Sequence, residues 1–189
     1  SIMSETYVVL VYSHAAQRVK IYPRVIIAAD ATIRGSVTIK TGSVIHPHSK
    51  IDASRGPIVI GENCVVEERV QLVSANEGGM NIGDANSFRA GCCVCAAEIG
   101  NCNIFEPASR VFASISIPNF CVIGAGCSVG SDTGVPYALS ERSVIYGLNS
   151  EHRVWNGDGV GQQAALHAKE LVYLRDTIPK AHKLRIIRP

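Results

Sequence analysis

Residues 21–51 read IYPRVIIAADATIRGSVTIKTGSVIHPHSKI, and within them Ile21, Ile27, Ile33, Ile39, Ile45 and Ile51 recur at every sixth place. The step returns through Ile99, Phe105, Val111, Ile117, Ile123, Val129 and Val135. Between these runs it continues as Ile60, Val66, Leu72 and then Ile82, Phe88, Val94, with changes of length near Ser54–Pro57, Ser74–Asn81 and Glu98. A helix turning about 100° per residue would scatter these positions over three separate faces. Hairpins would need recurrent two-residue turn signals such as Asn-Gly, which this chain lacks. A short strand and a bend every six residues, three to a coil, instead send each sixth side chain to the axis of a prism whose coils stack about 4.8 Å apart. The spacing predicts an all-β solenoid of about seven triangular coils between Ile21 and Gly147.

Two residues before each repeat position a second side chain points inward near a corner, where space is short. Ala31, Ser43, Ser49, Cys64, Cys92, Ala97, Ser109, Cys121, Cys127 and Thr133 occupy that slot, all of them small. The four cysteines among them read as compact apolar packing rather than chemistry. A solenoid exposes an unpaired strand edge at each end, so caps or partners are required. After Ile145-Tyr146-Gly147 the repeat stops, and His167, Leu171, Leu174 and Ile178 fall at helical spacing between Gly157-Asp158-Gly159 and Pro179. The organisation is therefore an N-terminal segment at 1–18, the coils at 19–147, and a loop, helix and tail at 148–189 packing on them. Residues 1–151 hold 11 basic and 13 acidic side chains and 152–189 hold 7 and 3, a mildly basic tail that a solvated face explains.

Composition narrows the function classes. The 189 residues carry a formal charge of +2, which offers no concentrated basic face for nucleic acid. Apolar residues reach 47% against 18% charged, so the chain has a core to bury. The longest apolar run, Tyr7–Tyr12, is far short of the ~20 residues that span a bilayer. Ser1-Ile2 ahead of Met3 read as a cloning remnant, and Ser4-Glu5-Thr6 is not the basic opening of a secretory signal, which predicts an intracellular protein. Seven cysteines, an odd number in a chain of this size, are expected as reduced thiols.

Three histidines and an open position would make a catalytic zinc site. The pattern resembles the γ-class carbonic anhydrases over most of its length, and Ser43-Val44-Ile45-His46 matches the stretch that carries their first ligand. At the other two ligand positions the chain has Glu68 and Val73, so His46 stands as a vestigial ligand, with no metal and no cofactor expected. The family's Arg-Gly-Asp element is reduced to Arg34-Gly35-Ser36. His48, between Pro47 and Lys50, reads as an exposed corner. In Cys92-Cys93-Val94-Cys95, Cys93 and Cys95 are the thiols whose oxidation merits testing. Hexapeptide acyltransferases need a general base. Apart from His46 and His48, the histidines are His14, His152, His167 and His182, outside the coils and without an evident partner in the sequence. A metal-dependent hydrase and an acyltransferase remain the enzyme-class alternatives.

The local strings are most similar to the dynactin subunit 6 family. They are Ile33-Arg34-Gly35-Ser36-Val37-Thr38-Ile39, Val44-Ile45-His46-Pro47, Gly56-Pro57-Ile58-Val59-Ile60-Gly61-Glu62, Val66-Glu67-Glu68 and Val144-Ile145-Tyr146-Gly147. Ile178-Pro179-Lys180-Ala181-His182-Lys183-Leu184 resembles that family's Leu-Pro-x-x-His-x-Leu-Lys ending. The likeness runs over about residues 19–185 and departs between Leu72 and Ile82, where the connection is much shorter than the acidic, proline-rich loop of vertebrate members. The resemblance implies a left-handed parallel β-helix; parallel crossovers are normally right-handed, so the spacing alone would not yield that hand. It also implies a catalytically inert subunit paired with dynactin subunit 5, beside the pointed-end actin-related protein and the p62 subunit of dynactin. Its role there would be dynein/dynactin cargo recruitment in a cytoplasmic, cytoskeleton-associated complex. Trp155, just after the last coil, reads as packing the turn before the helix rather than anchoring a partner.

Overall fold

The computed structural model describes residues 9–11, 18–131 and 137–184; His14, Thr133 and Val135 lie outside them. Three columns of side chains fill the axis. On the first face Ile27, Ile45, Val66, Phe88, Phe105, Ile123 and Ile145 stack through parallel pairing. On the second face Ile33, Ile51, Leu72, Val94, Val111 and Val129 do so. On the third, Ile21, Ile39, Ile60, Ile82, Ile99 and Ile117 follow one another. Every one of these except half-buried Ile21 is buried. The step from Val129 to Val135 runs outside the described residues. Strand Ile115–Ser116 pairs in parallel with Tyr137–Ala138, and buried Leu139 continues the third column. Thr32–Ile39 and Lys50–Ile60 run through the corner between the second and third faces, which joins those faces into one ten-stranded sheet.

The small-slot expectation holds for most coils at two corners, where Val70, Asn86 and Asn103 are the larger buried exceptions, and fails at the third. Ser43, Cys64 and Cys121 are buried before the first face, and Ala31, Ser49, Cys92, Ser109 and Cys127 before the second. Before the third face the slot holds Val37, Ile58, Met80 and Ile115, all large and buried. The place of the turn differs between the corners but does not alone set the size, since left-handed Gly79 (φ 87°) directly precedes Met80 and left-handed Arg69 (φ 58°) directly precedes Val70. At the first two corners a left-handed residue directly precedes the slot, as Gly42 (φ 76°) precedes Ser43 and His48 (φ 58°) precedes Ser49. At the third corner Gly35 (φ 76°) turns two residues before Val37, so Val37 is an ordinary strand residue with room for its side chain. Ala97 is a second correction: the coil there is one residue short, which leaves Ala97 half-buried and puts Ala96 inside.

A buried polar ladder climbs the corner before the first face. The Ser43 hydroxyl donates to the Gly61 carbonyl at 2.8 Å and accepts from the Cys64 amide at 2.9 Å. Two coils on, Asn86 Nδ2 donates to the carbonyls of Gly83 (2.9 Å) and Gly100 (2.8 Å), while its Oδ1 accepts from the Asn103 amide at 2.9 Å. Asn103 Oδ1 accepts in turn from the Cys121 amide at 2.7 Å. Each side chain supplies the partner that a corner amide cannot find within its own strand.

Both ends of the stack are closed by antiparallel strands. Val9–Val11 lies against Arg18–Ile21, and Glu151–Val154 against Ser143–Tyr146. After Gly157 and Gly159, both in the left-handed region, the helix Val160–Ala181 returns along the first face. It includes Pro179, which sequence reading set at its boundary; in the last turn a proline removes a single intrahelical hydrogen bond, and the helix closes with the His182 amide on the Ile178 carbonyl. Leu171 and Ile178 are buried against the outward side chains Val44 and Val65, with Leu174 and Ile26 beside them. The segment after the helix reaches the first coil, where the Ala29 amide donates to the Lys183 carbonyl at 2.8 Å. No helix among the described residues is long and apolar enough to cross a membrane.

Candidate functional site

His46 sits just past the first-face column, at the turn toward the second face, and is 5% exposed. Its Nδ1 lies 3.0 Å from Glu68 Oε1, so Nδ1–H donates to the carboxylate; the buried Nε2 has no hydrogen-bond partner among the described residues. The Ser49 hydroxyl donates to the His46 carbonyl at 2.8 Å and fixes the turn. Val73 is half-buried on the second face, in register with Asp52, and brings no donor atom. Among the described residues no group of three or more His, Cys, Asp and Glu side chains gathers into a metal-binding set. His48 is exposed and pairs with Asp30 at 3.2 Å.

Burial alone would raise the Glu68 carboxyl. Hydrogen bonds from His46 and from its own backbone amide, with the charges of His46 and His182, outweigh that and hold it below the ordinary glutamate value. A carboxylate depressed in the fold contributes stability above its unfolded value and loses it as pH falls through its folded value. Glu68→Gln should therefore be less stable than the parent at neutral pH, and the gap in urea midpoint should close on acidification from about pH 6 to about pH 3. A gap that stays constant over this range would mean that the pair contributes no pH-dependent stability.

The helix is clamped to the coils through three polar side chains, His167, Glu170 and Arg175, whose contacts the sequence did not announce. His167 Nε2–H donates to the Asn63 carbonyl at 2.7 Å, which leaves Nδ1 to accept from the Ser87 hydroxyl at 3.1 Å. The Arg175 guanidinium donates to the Gly42 carbonyl and, at 2.7 Å, to Asn63 Oδ1. Gly42 lies in the left-handed region (φ 76°), which favours glycine, and a Cβ there would push against the flexible end of Arg175. Arg89 joins Glu67 (2.8 Å) and Glu170; burial works against its charge, but the two carboxylates raise its pKa overall. His152, also unpartnered on sequence grounds, meets the Ser143 hydroxyl at 2.9 Å. The N-terminal half of the helix stands over an open groove of about 860 Å³ lined by Ile104, Phe120, Val160, Leu166 and Tyr173. Trp155 is half-buried and donates from Nε1 to the Phe120 carbonyl at 3.1 Å, which ties it to a coil corner.

Cys64, Cys92, Cys121 and Cys127 are buried in corner slots. Burial pushes the Cys64 thiol up to about 12 and the Cys121 thiol up to about 11, which keeps both protonated and inert. Cys93 and Cys95 are only half-buried. The functional residues that sequence reading missed are Asn86 and Asn103 in the corner ladder, and Ser87 and Arg89 under the helix. The two asparagines had a signal, since each stands two residues before a column phenylalanine. Ser87 and Arg89 had none, because their partners on the helix lie 80 residues or more along the chain.

No protein-family model matches the chain. Among solved structures, a hexapeptide transferase family protein from Anaplasma phagocytophilum superposes with a TM-score of 0.72 at 15% identity, covering 85% of this chain and 94% of that one. That likeness shows the fold, a left-handed parallel β-helix, and leaves its chemistry aside. Among curated relatives, dynactin subunit 6 of Nematostella vectensis is 33% identical over 180 residues, covering 89% of this chain and 93% of the relative. Dynactin subunit 6 of Dictyostelium discoideum is 34% identical over 164 residues, covering 85% and 84%, and that of Danio rerio 30% over 179 residues, covering 88% and 87%. Likeness at this level over most of both chains shows that the chain belongs to the dynactin subunit 6 family.

Proposed function

We propose that the chain is a non-catalytic structural subunit of the dynactin pointed-end complex. In this reading it pairs with dynactin subunit 5, lies beside the pointed-end actin-related protein and the p62 subunit, and supports dynein/dynactin cargo recruitment and microtubule-based transport in the cytoplasm. The observation that carries the proposal is the near full-length likeness to dynactin subunit 6 chains. The state of the His46 corner supports it. One donor of a zinc triad is present, the second is a carboxylate that accepts from His46 Nδ1–H, and the third is a hydrocarbon side chain. A stack of coils with side-chain ladders on flat faces suits work done by contact.

The experiment is co-expression with dynactin subunit 5, followed by native mass measurement and elemental analysis. A one-to-one heterodimer with substoichiometric zinc is expected. A tight homotrimer that ignores subunit 5, or one zinc per chain together with carbon dioxide hydration, would overturn the reading in favour of a hexapeptide enzyme.

A further inference from the structure

Cys93 and Cys95 flank Val94, whose side chain fills the axis, so both thiols stand on the outer side of the second face. Their amides are held in the ladder, Cys93 on the Ser109 carbonyl (2.9 Å) and Cys95 on the Val111 carbonyl (2.8 Å). Cys93 lies in register between Gln71 and Arg110, and Lys50 follows Gln71 in the same outward row. A strand rise of about 3.3 Å per residue places the two Cα atoms roughly 6.6 Å apart. The Cα separation is near the upper end of the ~4.4–6.8 Å a disulfide spans, but side chains two apart on one face keep their Cβ atoms about as far apart, beyond the ~3.5–4.5 Å the bond takes, so it closes only as the strand gives locally and opens readily.

The geometry points to a reversible dithiol site: Cys93 and Cys95 close an intrastrand disulfide by exchange with a low-molecular-weight disulfide and reopen with small thiols. The Cys93 thiolate attacks one sulfur of the small disulfide. The old S–S bond breaks, the first small thiolate leaves with the electron pair, and a mixed disulfide stands on Cys93. Cys95 gives its proton to solvent, its sulfur attacks Cys93 Sγ, and the second small thiolate leaves. Two cysteine thiols are oxidised and the small disulfide is reduced to two thiols. The order of attack follows from the surroundings. The hydrogen bond from Cys95 outweighs desolvation and, with the charges of Arg110 and Lys50, lowers Cys93 to about 6, whereas Cys95, the donor, is raised. Cys102, the remaining half-buried thiol, is raised by burial and by Asp84 and serves as an internal reference.

The test uses the reduced full chain with glutathione disulfide at about pH 7, blocking of free thiols with N-ethylmaleimide, and mass analysis by fragmentation. The expected product has lost two hydrogens between Cys93 and Cys95, forms about tenfold faster than any adduct on Cys102, and reverts with glutathione. Cys95→Ser should stop at a glutathione adduct on Cys93, and Cys93→Ser should give neither product while keeping the parent circular dichroism spectrum. Equal rates at Cys93 and Cys102, a lasting adduct on Cys93 in the parent chain, a bond joining any other pair, or a bond that glutathione cannot reopen would each overturn the inference.

Discussion

Phe88→Ala is expected to lower stability by about 4 kcal/mol, read as a drop in the urea midpoint at unchanged slope. Phe88 and Phe105 are wholly buried on the axis in successive coils, their rings stacked 4.7 Å apart at an interplanar angle of 7°. Truncation removes the ring and leaves a hole between Val66 and Phe105, whose backbones the ladder holds at fixed spacing on either side. The site has little freedom to collapse, which places the cost toward the high end for such changes. Leu148→Ala, at a wholly exposed apolar side chain past the last coil, should change stability by less than about 0.5 kcal/mol. Equal effects for the two variants would mean that the axis does not carry the fold.

Asn86→Ala should cost a similar amount, about 3–5 kcal/mol, although the volume lost is small. It strands the Asn103 amide and withdraws a donor from the Gly83 and Gly100 carbonyls, all in a buried corner. A buried polar group left without its partner costs about 1–3 kcal/mol. The chain supplies its own control. In the coils below, Ser43 fills the same slot and both donates and accepts there. Asn86→Ser should therefore recover a measurable part of the loss in equilibrium unfolding. If serine proved no better than alanine, the slot would act through volume alone.

These two positions show what a one-dimensional reading can and cannot reach. Phe88 was legible because a six-residue period in aliphatic and aromatic side chains has no other economical explanation, and all three columns follow it. Asn86 was not, because its role depends on a corner amide one coil away and on the place of the left-handed residue. The third corner was hidden as well, where Val37, Ile58, Met80 and Ile115 occupy a slot read as small; at Val37 the turn comes one residue earlier, which changes the space without changing the period. At the candidate site, His46, Glu68 and Val73 could be named from a motif, but their arrangement could not. That Glu68 spends itself on His46 needs a contact across 22 residues. His167, Arg175 and Arg89 were invisible as a clamp because the helix doubles back on the coils, and no periodicity within it says which carbonyl it will meet.

That doubling back has a consequence for anything that lies along the rod. A stack of near-identical rungs offers a visitor several equivalent seats, each shifted by one rung of about 4.8 Å. The helix removes the ambiguity. Its contacts run from Ser87 through Asn63 and Gly42 to Ala29, covering the early rungs and leaving the later ones bare. The flank thus acquires a top and a bottom, and a neighbour that touches both the clothed and the bare stretch can settle in one alignment alone.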